Sequence, residues 1–267
     1  ATCPKWIAFL NRIFEGNAET IQFVQQMAGY ALTADTREQV FFLLHGTGAN
    51  GKSTFIGTLL HILGEYAKQT DFETVLTKHG DTGPRNDLAA LVGSRLVAAS
   101  EGERGRRLAE AMVKQLTGGD SITCRELYGK LFTYTPEFKL MLSTNHKPRI
   151  IGTDYAIWRR IRLIPFNVTI SDDEKDPQLL SKLKSESSGI LNWMLQGLES
   201  WKEKGLIQAE TVQAATASYR ASEDTLRPFI AECCITGDTV RAKLKELYEA
   251  YKEWENMPLK KRIFPKD

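Results

Sequence analysis

The sequence predicts an α/β fold, a parallel sheet wrapped by helices, and three observations carry the prediction. Residues 40–44, 96–99 and 138–142 are short runs, apolar but for Lys139, each followed at once by polar side chains, the pattern of strands buried on both faces. A glycine-rich segment joins the first run directly to Phe55, Ile56, Leu59, Leu60 and Leu63, which recur at helical spacing up to a stop at Gly64. Beyond about residue 170 the strand-like runs cease and only helical spacing continues.

A chain of 267 residues with 42% hydrophobic side chains can bury a real core in one large or two small domains. The composition shifts suggest a helical collar segment at 1–38, a core at 39–170 and a helical domain at 171–267 with winged-helix character at its end. A net charge of +2 excludes a strong overall field, so any nucleic-acid contact has to come from a local patch. The four cysteines, Cys3, Cys124, Cys233 and Cys234, form no C-x-x-C pair and sit near no histidine at zinc-ligand spacing. They fit free thiols in a reducing cytoplasm. There is neither a signal peptide nor an apolar stretch long enough for a membrane span, so the expectation is a cytoplasmic protein without a membrane partner. The chain begins with Ala rather than Met, as a piece of a longer polypeptide with further activities upstream would.

In chain order, residues 4–34 give two amphipathic helices. Trp6, Ile7, Phe9, Leu10, Ile13 and Phe14 form the apolar face of the first, Ile21, Phe23, Val24 and Met27 that of the second, and Gly16 and Asn17 separate them. This pair is expected to serve packing or assembly. The loop after the first strand, Gly46, Thr47, Gly48, Ala49, Asn50, Gly51, Lys52, Ser53 and Thr54, fits Gly-x-x-x-x-Gly-Lys-Ser/Thr without a gap. Its glycines let successive N–H groups point at phosphates, Lys52 supplies a positive charge, and the Ser53 hydroxyl can ligate Mg2+. With strand and helix in place on its flanks, it is the phosphate-binding loop of a P-loop NTPase.

Residues 77–87 read as a polar loop and 88–93 as a short helix. The strand at 96–100 delivers Glu101 to the loop end of the sheet, where a carboxylate can hold Mg2+ or polarise an attacking water. Glu103 is either its partner or a solvated charge among Arg104, Arg106 and Arg107. Residues 107–116 have helical spacing and run into Gly118 and Gly119. Residues 122–134 then form a hairpin with Tyr128, Gly129 and Lys130 near its tip, a lysine for phosphate beside a ring that can stack on a base. The strand at 138–144 ends on Asn145, whose amide could position water at a γ-phosphate without adding negative charge. Arg159 and Arg160, before a strand at 161–166, fit either a surface ion-pair cluster or an arginine finger for a neighbouring subunit.

These parts, in this order, resemble the superfamily 3 helicases, and among them the helicase domain of phage and plasmid primase-helicases, with the poxvirus primase-helicase further off. The matching features are residues 46–54, the acid-tipped strand at 96–101, Lys114 to Asp120 with the hairpin after it, the strand ending at Asn145, and Trp158 with Arg159 and Arg160. The resemblance covers residues 5–166 well and the rest loosely. It implies an AAA+-like core that assembles as a ring, usually a hexamer, uses ATP and Mg2+, and translocates on single-stranded or forked DNA. It also implies phage, prophage or plasmid replication in a bacterial cytoplasm, with a primase or polymerase as partner or upstream domain. Lys52 and Ser53 would hold phosphates and Mg2+, Glu101 would act in the acidic motif, Asn145 as sensor, Lys130 on the DNA hairpin, and Arg159 or Arg160 in trans. The acidic motif departs from the pattern, being Glu-Gly-Glu rather than two adjacent acids. A non-unwinding AAA+ loader or remodeller is the alternative, and a DNA-binding module with a degenerate loop a third reading.

Overall fold

The computed structural model describes residues 1–77, 85–100, 105–152, 154–224 and 226–256. Helix α1 (Pro4–Ile13) starts on a proline, whose missing N–H costs nothing in a first turn, and buries Trp6, Phe9, Leu10 and Ile13. Left-handed backbone at Glu15 and Gly16 ends it. Asn17 then caps α2 (Ala18–Tyr30), its side-chain oxygen accepting from the Thr20 N–H at 2.8 Å. Strand β1 (Phe41–His45), helix α3 (Lys52–Leu63), strand β2 (Ala67–Asp71), the short helix α4 (Asn86–Ala89) and strand β3 (Leu96–Ser100) follow. After α5 (Glu110–Gly118) comes a hairpin, β4 (Ile122–Arg125) with β5 (Leu131–Tyr134), and then β6 (Lys139–Thr144), α6 (Tyr155–Trp158) and β7 (Ile161–Pro165). Among the described residues no strand follows Pro165. The remainder is α7 (Leu179–Lys184), α8 (Ser187–Lys204), α9 (Glu210–Glu223), α10 (Leu226–Cys233) and α11 (Leu244–Asn256).

The main sheet has five strands in the order β2-β3-β6-β1-β7, every neighbouring pair parallel. Phe41 to Leu44 are buried on both faces of β1, as their unbroken apolar run requires. Because the strands are parallel, their C-terminal ends share one edge. His45 is level with Thr144 and Pro165, and Ser100 with Ser143, so the segments that leave β1, β3 and β6 converge there. This is the P-loop-like α/β core that the sequence predicts.

An aromatic cluster joins α1 to this core. The Trp6 ring centroid lies 5.5 Å from Phe55 of α3 and 5.5 Å from Trp193 of α8, and Phe14 and Phe166 pack at 5.0 Å. Helices α2 and α8 cross at Gly29 and Gly197. A Cβ on Gly197 would stand 2.1 Å from the Gln25 carbonyl oxygen, so only glycine permits this approach.

Some elements differ from expectation. Strand β2, a half-exposed edge strand of mixed polarity, was not expected from the sequence. The helix expected from Arg107 starts at Glu110, because Arg107 and Leu108 are extended and bridge Arg149 and Leu76. Val240, expected on the last helix, precedes α11.

By contact density the chain divides into two units, Ala1–Ser218 and Tyr219–Asp267, whereas the composition shift near residue 170 marks the change from strands to helices. In the second unit Phe229 packs against Tyr251 and Trp254 with centroids 5.4 and 5.9 Å away, and the Trp254 indole N–H donates to Glu232 at 2.8 Å. No helix among the described residues is long and apolar enough to cross a membrane.

Candidate functional site

The loop between β1 and α3 turns on left-handed backbone at Gly48 (φ 112°), Ala49 (φ 46°) and Gly51 (φ 86°). Glycine meets that demand freely at two of these positions, and at Ala49 it is met with strain, which is usual where a loop is over-determined by its surroundings. The Ala49 carbonyl accepts from the Ile170 N–H at 2.7 Å, and the buried Asn50 donates its amide to the Phe166 carbonyl at 3.3 Å. Gly51 lies directly on α1. A Cβ there would stand 2.7 Å from Ile13 Cγ2 and 3.1 Å from Phe9 Cε2.

Lys52 is 5% exposed, and its ammonium donates to the Gly46 carbonyl (2.6 Å), Asn50 Oδ1 (3.1 Å) and Asn145 Oδ1 (3.1 Å). A buried ammonium is tolerable only when its protons are matched in this way. Asn145 reaches Lys52 because β6 is the immediate neighbour of β1 in the sheet. Ser53 stands exposed in the first turn of α3, while Thr47 and Ala49 are exposed and Thr54 half-buried. His45, at the end of β1, has its pKa pushed down to about 4, first by burial and then by the positive charges of Lys147, Lys52 and His146. It is neutral at pH 7.

These groups open into a cleft of about 1050 Å³ whose floor is residues 48–54 with Ser100, Ser143 and Asn145. Glu101 follows Ser100 in the chain. Both Glu101 and Glu103 lie outside the described residues. Two walls of the cleft escaped the sequence: Lys5, Ala8, Phe9 and Arg12 of α1, and Ile170 with residues 174–177, Leu179 and Lys182. The signal was present as basic residues seven apart on α1, Lys5 and Arg12, and as the charged stretch after 170, which looks like a linker. Chemically, the floor offers backbone N–H groups at a helix start, the Lys52 ammonium, the amides of Asn50 and Asn145 and the hydroxyls of Ser53, Thr54, Ser100 and Ser143, a donor set for an anion.

The other predicted residues stand apart from this cleft. Tyr128 is 96% exposed in left-handed backbone at the hairpin tip, with Lys130 exposed beside it. The base of the hairpin is fixed by the Tyr134 hydroxyl, which donates to the Leu88 carbonyl at 2.8 Å. Arg159 and Arg160 flank the start of β7, level with the N-terminal end of β1. They are separated from the loop by the length of the strand, roughly 20 Å at about 3.3 Å per residue, so neither can reach the cleft of its own chain. Arg160 is 8% exposed and donates to the Ala156 carbonyl at 2.6 Å; Arg159 is half-buried and donates to Gln39 Oε1 at 2.7 Å.

Comparison with known proteins adds a lineage. Residues 44–160 match the model of a family of unknown function, DUF5906. The chain is 27% identical to a protein named Putative helicase L207/L206 of Acanthamoeba polyphaga mimivirus, over 87% of this chain and 26% of that one. It is 24% identical to a protein named Putative primase C962R of African swine fever virus, over 85% of this chain and 26% of the relative. The chain thus spans about a quarter of the length of the curated relatives it matches. Among solved structures, the apo C-terminal region of NrS-1 superposes with a TM-score of 0.63 at 14% identity, covering 94% of this chain and 63% of that one, which is a likeness of fold. Relatives that carry the names helicase and primase support the assignment of this chain to the primase-helicase family.

Proposed function

We propose that this chain is an ATP-driven DNA helicase module of the superfamily 3 type, working in DNA replication as a ring of identical subunits, a hexamer, with ATP held at the subunit interfaces. The observation that carries the proposal is the junction of Lys52 with Gly46, Asn50 and Asn145 at the edge where the parallel strands end. The loop N–H groups and Lys52 bind the triphosphate, and Asn145 orients the attacking water. Ser53 and Glu101 would hold Mg2+, which when bound neutralises charge on the β- and γ-phosphates, and Glu103 follows Glu101 two residues on in the chain. Tyr128 and Lys130 at the exposed tip suit the bases and phosphates of single-stranded DNA. The strand-length separation of Arg159 and Arg160 from their own loop favours action on a neighbour's nucleotide. Arg159 is the better candidate, because its side chain is half-buried where that of Arg160 is buried at 8% exposure. Two relatives named for helicase and primase support a nucleic-acid substrate, and the remaining length of those relatives leaves room for a primase or polymerase partner.

The test is ATP turnover with and without single-stranded DNA. DNA should stimulate turnover, Lys52→Ala should lower it by about a hundredfold or more, and Lys130→Ala should lose the stimulation. A loader or protein remodeller would keep its turnover in Lys130→Ala, and a DNA-binding module with an idle loop would keep its DNA-dependent function in Lys52→Ala.

A further inference from the structure

The cleft is too large for a phosphate chain alone, and its outer part is built differently from its floor. Helix α1 lines it with Ala8 and Phe9, and the segment after β7 lines it with Pro177 and Leu179. These apolar surfaces face the same space as the loop, and Phe9 touches Gly51 itself. The two walls come from distant parts of the chain and are tied by one ion pair. Arg12 Nε donates to Glu174 Oε1 at 3.2 Å and Arg12 Nη2 to Glu174 Oε2 at 2.8 Å. Arg12 Nη2 also reaches the Thr169 carbonyl at 3.5 Å, while Glu174 Oε2 accepts from the Ser171 N–H (3.2 Å) and hydroxyl (3.1 Å). Both side chains of the pair are 43% exposed. Exposed pairs add little to folding, but a two-pronged pair fixes the spacing of the walls it joins.

We propose that α1 and the 170–179 segment form the subsite for the nucleoside half of a nucleoside triphosphate, and that the Arg12–Glu174 pair is the clasp that sets its width. The proposal rests on the 46–54 loop as the triphosphate site. A flat base attached to phosphates on the loop would lie between Phe9 and the Pro177–Leu179 wall, held by apolar contact. Arg12 and Glu174 are positioning residues here: they hold the two walls at a fixed spacing, so that binding need not order them. The helix expected to serve packing or assembly thereby becomes part of the nucleotide site.

The experiment is calorimetric titration of the full chain with a non-hydrolysable Mg–ATP analogue and, separately, with Mg–tripolyphosphate, which has the phosphates and no nucleoside. Arg12→Ala and Glu174→Gln should each weaken the ATP analogue by about tenfold and change tripolyphosphate by less than about twofold. The swap Arg12→Glu with Glu174→Arg should recover most of the loss, and retained tripolyphosphate binding shows that the single variants are folded. Variants that bind the analogue as the parent does, or lose both ligands alike, would overturn the clasp. Failure of the triphosphate site itself is seen separately, as a parent chain that binds neither ligand or a Lys52→Ala chain that binds both unchanged.

Discussion

Lys52 carries its charge into a nearly closed position, and the three oxygens around it explain how. When a phosphate arrives, the ammonium exchanges one neutral acceptor for an anionic one, so it is already in place and pays no new desolvation. Asn145 should matter in the same step. Asn145→Ala is expected to lower ATP turnover about tenfold to a hundredfold with little change in nucleotide affinity, measurable as a fall in kcat at nearly constant Kd. His45 gives a prediction on pH. Its folded pKa of about 4 lies below the ordinary 6.5, so between those values the unfolded chain binds the extra proton more readily than the folded one. The contribution of His45 to stability is then level above pH 6.5 and falls as pH drops toward 4. Urea midpoints across this window should show the fall, and His45→Asn should flatten it. The glycines, Lys52 and Ser53 were legible in the sequence because their spacing is the chemistry. The Lys52–Asn145 contact was not, since it depends on which strand lies beside β1.

At the scale of elements, β1 and β3 were legible because burial on both faces leaves an apolar run, and β6 because Leu140 to Leu142 do the same despite the buried Lys139 before them. β2 was not, because an edge strand needs only partial burial, and Ala67, Lys68, Gln69, Thr70 and Asp71 carry no pattern that a loop would not. Helix α1 hid its second role for a related reason. Trp6, Phe9, Leu10 and Ile13 satisfy the core, and the neighbouring stripe of Lys5, Ala8 and Arg12 resembles an ordinary solvated face until the cleft is seen against it. The α2–α8 contact yields a stability test. Gly197→Ala must push backbone from backbone at the Gln25 carbonyl and should cost about 1–3 kcal/mol, read as a lower Tm or urea midpoint. A half-buried glycine such as Gly48, with nothing near its missing Cβ, would show only the cost of its left-handed backbone.

At the scale of the molecule, the proposed function makes the site half of a machine. The loop and Asn145 sit at one edge of the sheet, and Arg159 and Arg160 at the other, so a ring that sets one edge against the next subunit's opposite edge would complete every site. Mixing Lys52→Ala subunits with subunits carrying both Arg159→Ala and Arg160→Ala should therefore restore turnover that neither has alone, to about a quarter of the parent value if subunits mix at random. Sequence could place the two parts in order along the chain, but not on opposite edges, because strand order is a property of the sheet.

The most direct measurement is strand displacement on a forked DNA substrate, by the full chain with ATP and Mg2+ and by its Lys52→Ala variant. The proposed function predicts separation of the strands by the parent chain and none by the variant. A ring-forming preparation that hydrolyses ATP under DNA stimulation yet never separates the strands would contradict it.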